Sequence, residues 1–182
     1  VYDNSFEDDP LRMLRAVQFA ARFDFIIEPK TFEALRKHAH LMSTVSSERI
    51  TEELNKLLTL APRPSDGFRL MQTTGLLKEI MPELEECVGV DQPGGYHKYD
   101  VFEHTMHVID ACPPDICLRL AALFHYRLRQ AGVDWPDAAA LAETARRVWG
   151  RPSSLGLSPS SCSTTNAPWS ASTCPSTWRS TP

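Results

Sequence analysis

Near its start the chain reads "FEDDPLRMLRAVQFAARFDF", with Asp8, Asp9 and Pro10 directly before a helix that carries Arg12 in its first turn. A carboxylate only accepts hydrogen bonds and a guanidinium only donates them. If Asp9 caps the helix, Arg12 lies three residues further on at the same end, so the spacing gathers an acceptor and a forked donor into one small patch. Such a pair matches an exocyclic amine beside a ring acceptor, which is N4 and N3 of cytosine or N6 and N1 of adenine. Guanine and uracil present the opposite sense there. The pattern can therefore sort C and A from G and U without a nucleic-acid template. The plainer alternative is that Asp9 caps the backbone while Arg12 pairs with Asp8 or Asp9 as surface electrostatics.

Two further groups of residues could carry chemistry. Arg36, Lys37, His38 and His40, with Arg49, Lys56, Arg63 and Arg69, could supply phosphate contacts. Glu33, Glu48, Glu52 and Glu53 are interleaved with them, as on an ordinary solvated face, and Arg49 with Glu53 has the spacing of a pair along one helix. His97, His104, His107 and His125 raise the question of a metal. His104 and His107, one helical turn apart, could share a zinc ion, but two ligands without a third make a weak site. Helical histidines in a satisfied interior or interface are expected instead, and no metal site is assigned.

Composition bounds the classes open to the chain. Its 182 residues, 42% hydrophobic and 23% charged, suit a globular protein, and a formal charge of −4 gives no global attraction to nucleic acid or an anionic membrane. Any polyanion must be held by a local patch. The five cysteines are odd in number and lack C-x-x-C spacing, against both a zinc ribbon and a disulfide framework. No apolar run approaches the roughly 20 residues that span a bilayer, and the acidic start is no signal peptide. A cytoplasmic protein without membrane partners is expected. Val1 in place of an initiator Met fits a piece of something longer.

The elements that must position these residues read as helices, so the fold class is all-α. Leu11, Leu14, Val17 and Ala21 recur on one face of a first helix that runs to about Arg22. Pro29 and Thr31 open a second through "FEALRKHAHLM", and Ser46 caps a third, "SERITEELNKLLTL", where Val45 and Ile50 have staple spacing. Ser65 opens a fourth, closed by Gly75, and "LLKEIMP" adds a short turn stopped at Pro82. Asp100 with Glu103 forms a capping-box-like start for "VFEHTMHVIDA", and Pro113 with Pro114 ends it before "DICLRLAALFH". Part of "YRLRQAGVDWPDAAALAETARRVWG" has helical propensity. Beyond Arg151 the text is mostly Ser, Thr and Pro without an acidic residue, and all four tryptophans fall after residue 130. That vocabulary fits either a flexible tail or out-of-frame translation.

"DDPLRMLRAVQFAARFDF" resembles the E-D-x-x-R motif and following helix of the bacterial tRNA nucleotidyltransferase (CCA-adding enzyme) and poly(A) polymerase family. The likeness continues through "IEPKTFEAL", "VSSERITEELNKLL", "FRLMQTTGLLKEIMPEL" and "YHKYDVFEHTMHVIDA" as far as "LRLAALFH", about the first 125 residues. It implies a neck helix over 1–28, a helical RNA-binding body over 29–92, the start of a truncated HD domain over 93–128 and an atypical tail over 129–182. It further implies that Asp8, Asp9 and Arg12 bind the nucleotide, Asp9 and Arg12 selecting CTP and ATP. Arg36, Lys37, Arg49 and Lys56 would contact RNA, a tRNA 3′ end in the first place.

Departures from the family pattern qualify that expectation. Asp8 stands where the family has Glu, and Gln18 where it usually has Arg, a change that removes one cation near the nucleotide or RNA path. The Gly-Ser loop and the D-x-D carboxylates of the family's head domain have no counterpart here. The chain is not expected to add nucleotides alone; no catalytic residue or cofactor is assigned to it, and Mg²⁺ is expected only with a head-domain polypeptide. In the HD pattern His104 matches the first histidine, but His125 is followed by Tyr126 rather than Asp. The rival readings are an HD-type metal-dependent phosphohydrolase remnant and a non-catalytic helical RNA-binding module.

Overall fold

The structure is a computed structural model that describes residues 5–91 and 99–130, the stretch 126–130 as helical backbone only. His97, the side chain of Tyr126 and the expectations for residues 131–182 lie outside the described residues. Among those described there is no strand, and the architecture is all-α. The helices are α1 (Ser5–Asp8), α2 (Leu11–Phe23), α3 (Pro29–His38), α4 (Ser47–Leu60), α5 (Pro64–Thr74), α6 (Leu76–Ile80), α7 (Pro82–Glu85), α8 (Val101–Ala111) and α9 (Ile116–Gln130), with a 3-10 helix over Ala39–Thr44 between α3 and α4. None is long and apolar enough to cross a membrane.

The central element is α2. Its predicted stripe of Leu11, Leu14, Val17 and Ala21 is buried together with Met13, Gln18 and Ala20, and it packs on α4 and α5. α4 answers with Leu54, Leu57 and Leu58, all fully buried. α5 comes close because Gly67 has no side chain: a Cβ there would stand 2.6 Å from Leu57 Cδ1 and 3.3 Å from Ala21 Cβ. α8 closes the other side against α5 and α9. One apolar cluster runs from Phe6 on α1 to Phe124 on α9.

Helix ends show which local signals act. Glu28 caps α3, its carboxylate accepting from the Thr31 N–H at 2.8 Å and hydroxyl at 3.1 Å, and these bonds hold its pKa below the usual value. α3 ends at His38 rather than running on to Met42; the chain tightens into the 3-10 helix, burying Ala39 and Met42. Ser46 occupies the N-cap position of α4 without a side-chain bond. Pro64, not Ser65, is the first residue of α5, and Gly75 at φ 80° ends it in the left-handed conformation glycine tolerates. Half of the expected capping box forms: Asp100 accepts from the Glu103 N–H at 2.7 Å, while the Glu103 side chain turns away to Arg69. α9 continues past the expected boundary near 128 to Gln130.

Two polar sets tie the helices together. Arg69 on α5 donates as a fork to Glu103 on α8, Nε to Oε1 at 3.1 Å and Nη2 to Oε2 at 2.7 Å. Ser65 donates its N–H and hydroxyl to Asp110. Arg119 on α9 is 3% exposed and donates to the carbonyls of Leu58 and Ala61 at the end of α4, and to that of Cys112. Burial draws its pKa down while the charge of Asp110 opposes the shift. Leu58 and Ala61 are carbonyls that a helix terminus leaves without an intrahelical partner. Arg119→Met should therefore cost about 3 kcal/mol, since buried carbonyls lose their donor. Urea unfolding of the full chain checks this; a loss below about 1 kcal/mol would mean that water replaces the guanidinium.

Candidate nucleotide and RNA interface

The mouth of α2 is assembled from three helices. α1, a short turn not foreseen from the sequence, is pinned by the buried Phe6 and sets Ser5 beside α2. The Arg12 guanidinium turns to it, Nη1 donating to the Ser5 carbonyl at 3.1 Å and hydroxyl at 3.0 Å. Asp9 does not cap α2 with its side chain: Pro10 stands at the N-cap position, and no side-chain cap bond is made. The Asp9 carboxylate instead accepts from Arg49 of α4, Nη2 lying 3.2 Å from Oδ1 and 3.3 Å from Oδ2. Asp8 is exposed at the end of α1.

Acceptor and donor thus meet at this site, but the carboxylate's partner is Arg49 rather than Arg12. The expected Arg49–Glu53 pair along α4 is absent for the same reason. Glu53 is 2% exposed, held by Arg15 of α2 at 3.2 Å and Lys56 at 2.9 Å. Arg15 escaped the sequence reading. The available signal was Glu53 itself, which sits in the buried register of α4 one turn before Leu57, where a charge must find a partner.

The cations expected to meet RNA divide into two sets. Arg49 and Lys56 are tied to Asp9 and Glu53, Arg63 to Asp66 and Arg69 to Glu103. His38 is buried, 3.8 Å from Glu7. Arg36 and Lys37 are exposed on α3 with His40 beyond them. Arg36 has only a long 3.9 Å approach to the exposed Glu33. Lys37 makes no ion pair among the described residues.

The histidines pair differently from the helical spacing. The His107 ring lies tilted against Tyr99 with ring centroids 4.5 Å apart. The His104 ring meets His125 of α9 edge-on at 5.3 Å, and His125 Nδ1 lies 2.6 Å from the Ala122 carbonyl oxygen. Among the described residues no group of three or more His, Cys, Asp or Glu side chains is arranged to hold a metal.

Comparison with known proteins gives this geometry its context. A family model described as "Probable RNA and SrmB- binding site of polymerase A" matches residues 24–88. The chain is 40% identical over 135 residues to the CC-adding tRNA nucleotidyltransferase of Thermus thermophilus, covering 69% of this chain and 31% of that protein. It is 33% identical over 160 residues to the multifunctional CCA protein of Chromobacterium violaceum, covering 79% and 39%. The chain belongs to the tRNA nucleotidyltransferase and poly(A) polymerase family. It spans about a third of the length of these curated relatives. No solved structure matches.

Within this nucleotidyltransferase frame the RNA-binding match runs from the end of α2 through α7, so it contains Arg36, Lys37, Arg49 and Lys56. Asp8, Asp9 and Arg12 precede it. Gln18, which departs from the family's usual Arg, is 1% exposed and its Nε2 has no hydrogen-bond partner among the described residues. Gln18 therefore lies in the packed interior of the α2 contact. Glu53 is a structural anchor of the α2–α4 contact. Glu53→Ala should cost about 2 to 3 kcal/mol, below the figure for a fully buried pair because Arg15 and Lys56 are half exposed. Lys56→Ala should cost under about 1 kcal/mol, with thermal and urea melts separating the two.

Proposed function

We propose that this chain supplies nucleotide selection and RNA binding to a template-independent RNA nucleotidyltransferase that adds C and A, or A alone, to RNA 3′ ends. The relatives' names and the RNA-binding match over 24–88 support that reading. The observation that carries it is the juxtaposition of Asp9 with that segment, through Arg49 at the mouth of α2. Asp9 accepts from the exocyclic amine of cytosine or adenine, and Arg12 donates to the adjacent ring nitrogen once it leaves Ser5. Its exposed bonds to Ser5 cost little to exchange. Phosphoryl transfer belongs in this reading to a head-domain polypeptide with Mg²⁺.

RNA meets the chain first on α3, where Arg36 and Lys37 are exposed, and the end of α2 offers a second kind of contact. Phe19, Phe23 and Phe25 are exposed there, with ring centroids 6.0 and 5.5 Å apart and Arg22 over Phe23 at 4.8 Å. Unpaired bases stack on such surfaces. CTP and ATP should bind the full chain better than GTP and UTP, and Arg12→Ala should remove the difference; equal binding of all four by the wild type both with and without RNA would overturn base selection. Lys37→Ala should lower the salt slope of binding to a tRNA acceptor-stem mimic by about 1.

The approach of His104 to His125 favours a second reading, the opening of an HD-type phosphohydrolase segment. It predicts hydrolysis of a 2′,3′-cyclic nucleotide with Mn²⁺ or Ni²⁺ that His104→Ala stops. No hydrolysis by the wild-type chain would remove it.

A further inference from the structure

The Asp9 carboxylate that base selection needs is already occupied, and its occupant comes from the RNA-binding segment. Arg49 stands on α4 inside the matched stretch 24–88. Its Nη2 reaches both Asp9 oxygens, at 3.2 and 3.3 Å. The Arg49 side chain is 50% exposed and that of Asp9 23%, so the guanidinium covers the carboxylate while remaining open to solvent itself. A neutral amine is a poor competitor for a carboxylate held by a cation, because charge-assisted bonds are the stronger ones. A phosphate competes on equal terms for the guanidinium, being charged and matched to its planar fork. Exposed pairs of this kind are also weak enough to open.

We propose that Arg49 is a latch on Asp9: an RNA phosphate draws Arg49 away, and the freed carboxylate then accepts from the exocyclic amine of the incoming nucleotide. The proposal rests on the base-reading role of Asp9. Its consequence is linkage, since whatever factor RNA adds to CTP or ATP binding must also be added by the nucleotide to RNA binding. The linkage is base-selective. GTP and UTP present an acceptor where Asp9 needs a donor, so releasing the carboxylate does nothing for them.

The test is calorimetric titration of each of the four nucleotides into the full chain, alone and saturated with an RNA hairpin bearing a short 3′ overhang. Wild type, Arg49→Gln and Arg49→Lys are compared, with melting curves confirming that each is folded. RNA should raise the wild-type affinity for CTP and ATP about threefold, the scale of a surface ion pair, and leave GTP and UTP unchanged. Arg49→Gln should bind CTP and ATP without RNA as tightly as wild type does with it, and gain nothing further; Arg49→Lys should keep part of the response. Weaker CTP and ATP binding by Arg49→Gln would make Arg49 a support of Asp9 and overturn the latch. A preference for C and A that neither RNA nor Arg49→Gln alters would overturn the latch and leave base selection standing. Equal binding of all four nucleotides in every state would overturn base selection and the latch together. The wild-type comparison with and without RNA needs no variant.

Discussion

A guanidinium carried into a protein interior must find an acceptor for the N–H groups it takes from water. Arg119 finds them at the carbonyls of Leu58, Ala61 and Cys112. That arrangement settles three things at once. It satisfies the end of α4, fixes the turn between α8 and α9 against that end, and joins α9 to α4 through a buried charge. The Asp9–Arg49 and Arg15–Glu53 contacts both span the α2–α4 contact, so α4 carries the mouth of α2 near one end and the Arg119 bonds at the other.

The α2–α4 interface carries two ion pairs of different character. Glu53, almost sealed from water and gripped by cations from both helices, is costly to disturb because an unpaired buried charge has no solvent to turn to. Asp9 and Arg49 are exposed enough to exchange partners. Stability and exchange therefore sit on one interface, separated by roughly one turn of α4, and the more buried pair keeps the helices in place while the more exposed one changes hands. On the far side of α5, the Arg69–Glu103 fork and the Ser65–Asp110 bonds bring α8 into the same frame. The RNA-binding match ends before α8, yet the core beneath it continues to Phe124.

The helices were legible because each repeats its apolar residues at helical spacing and is punctuated by Pro, Gly or an acidic cap: the buried stripe of α2, the bounds of α4 and α8 and the Gly75 stop follow from local text. α1 and the 3-10 helix were not. Four residues around Phe6 carry no period, and the tightening after His38 follows from burying Ala39 and Met42 rather than from any helix-stop residue. At the site, residue types were legible and pairings were not. Spacing along one helix offers Arg49 the neighbour Glu53 and Asp9 the neighbour Arg12, whereas packing supplies partners 38 to 40 positions away. The histidines follow the same rule, His104 meeting His125 across two helices instead of His107 on its own.

The Arg119 strut also bears on the order in which the chain takes shape during synthesis. Chains emerge N-terminal end first and fold as their parts appear. α4 can coil as soon as it leaves the ribosome, but the carbonyls of Leu58 and Ala61 wait for a donor 58 to 61 residues downstream. Until then only water serves them. The matched segment 24–88 therefore gains the donor for the end of α4 only after α9 has been translated, so a nascent chain halted before Arg119 carries that segment with the end of α4 still open to water.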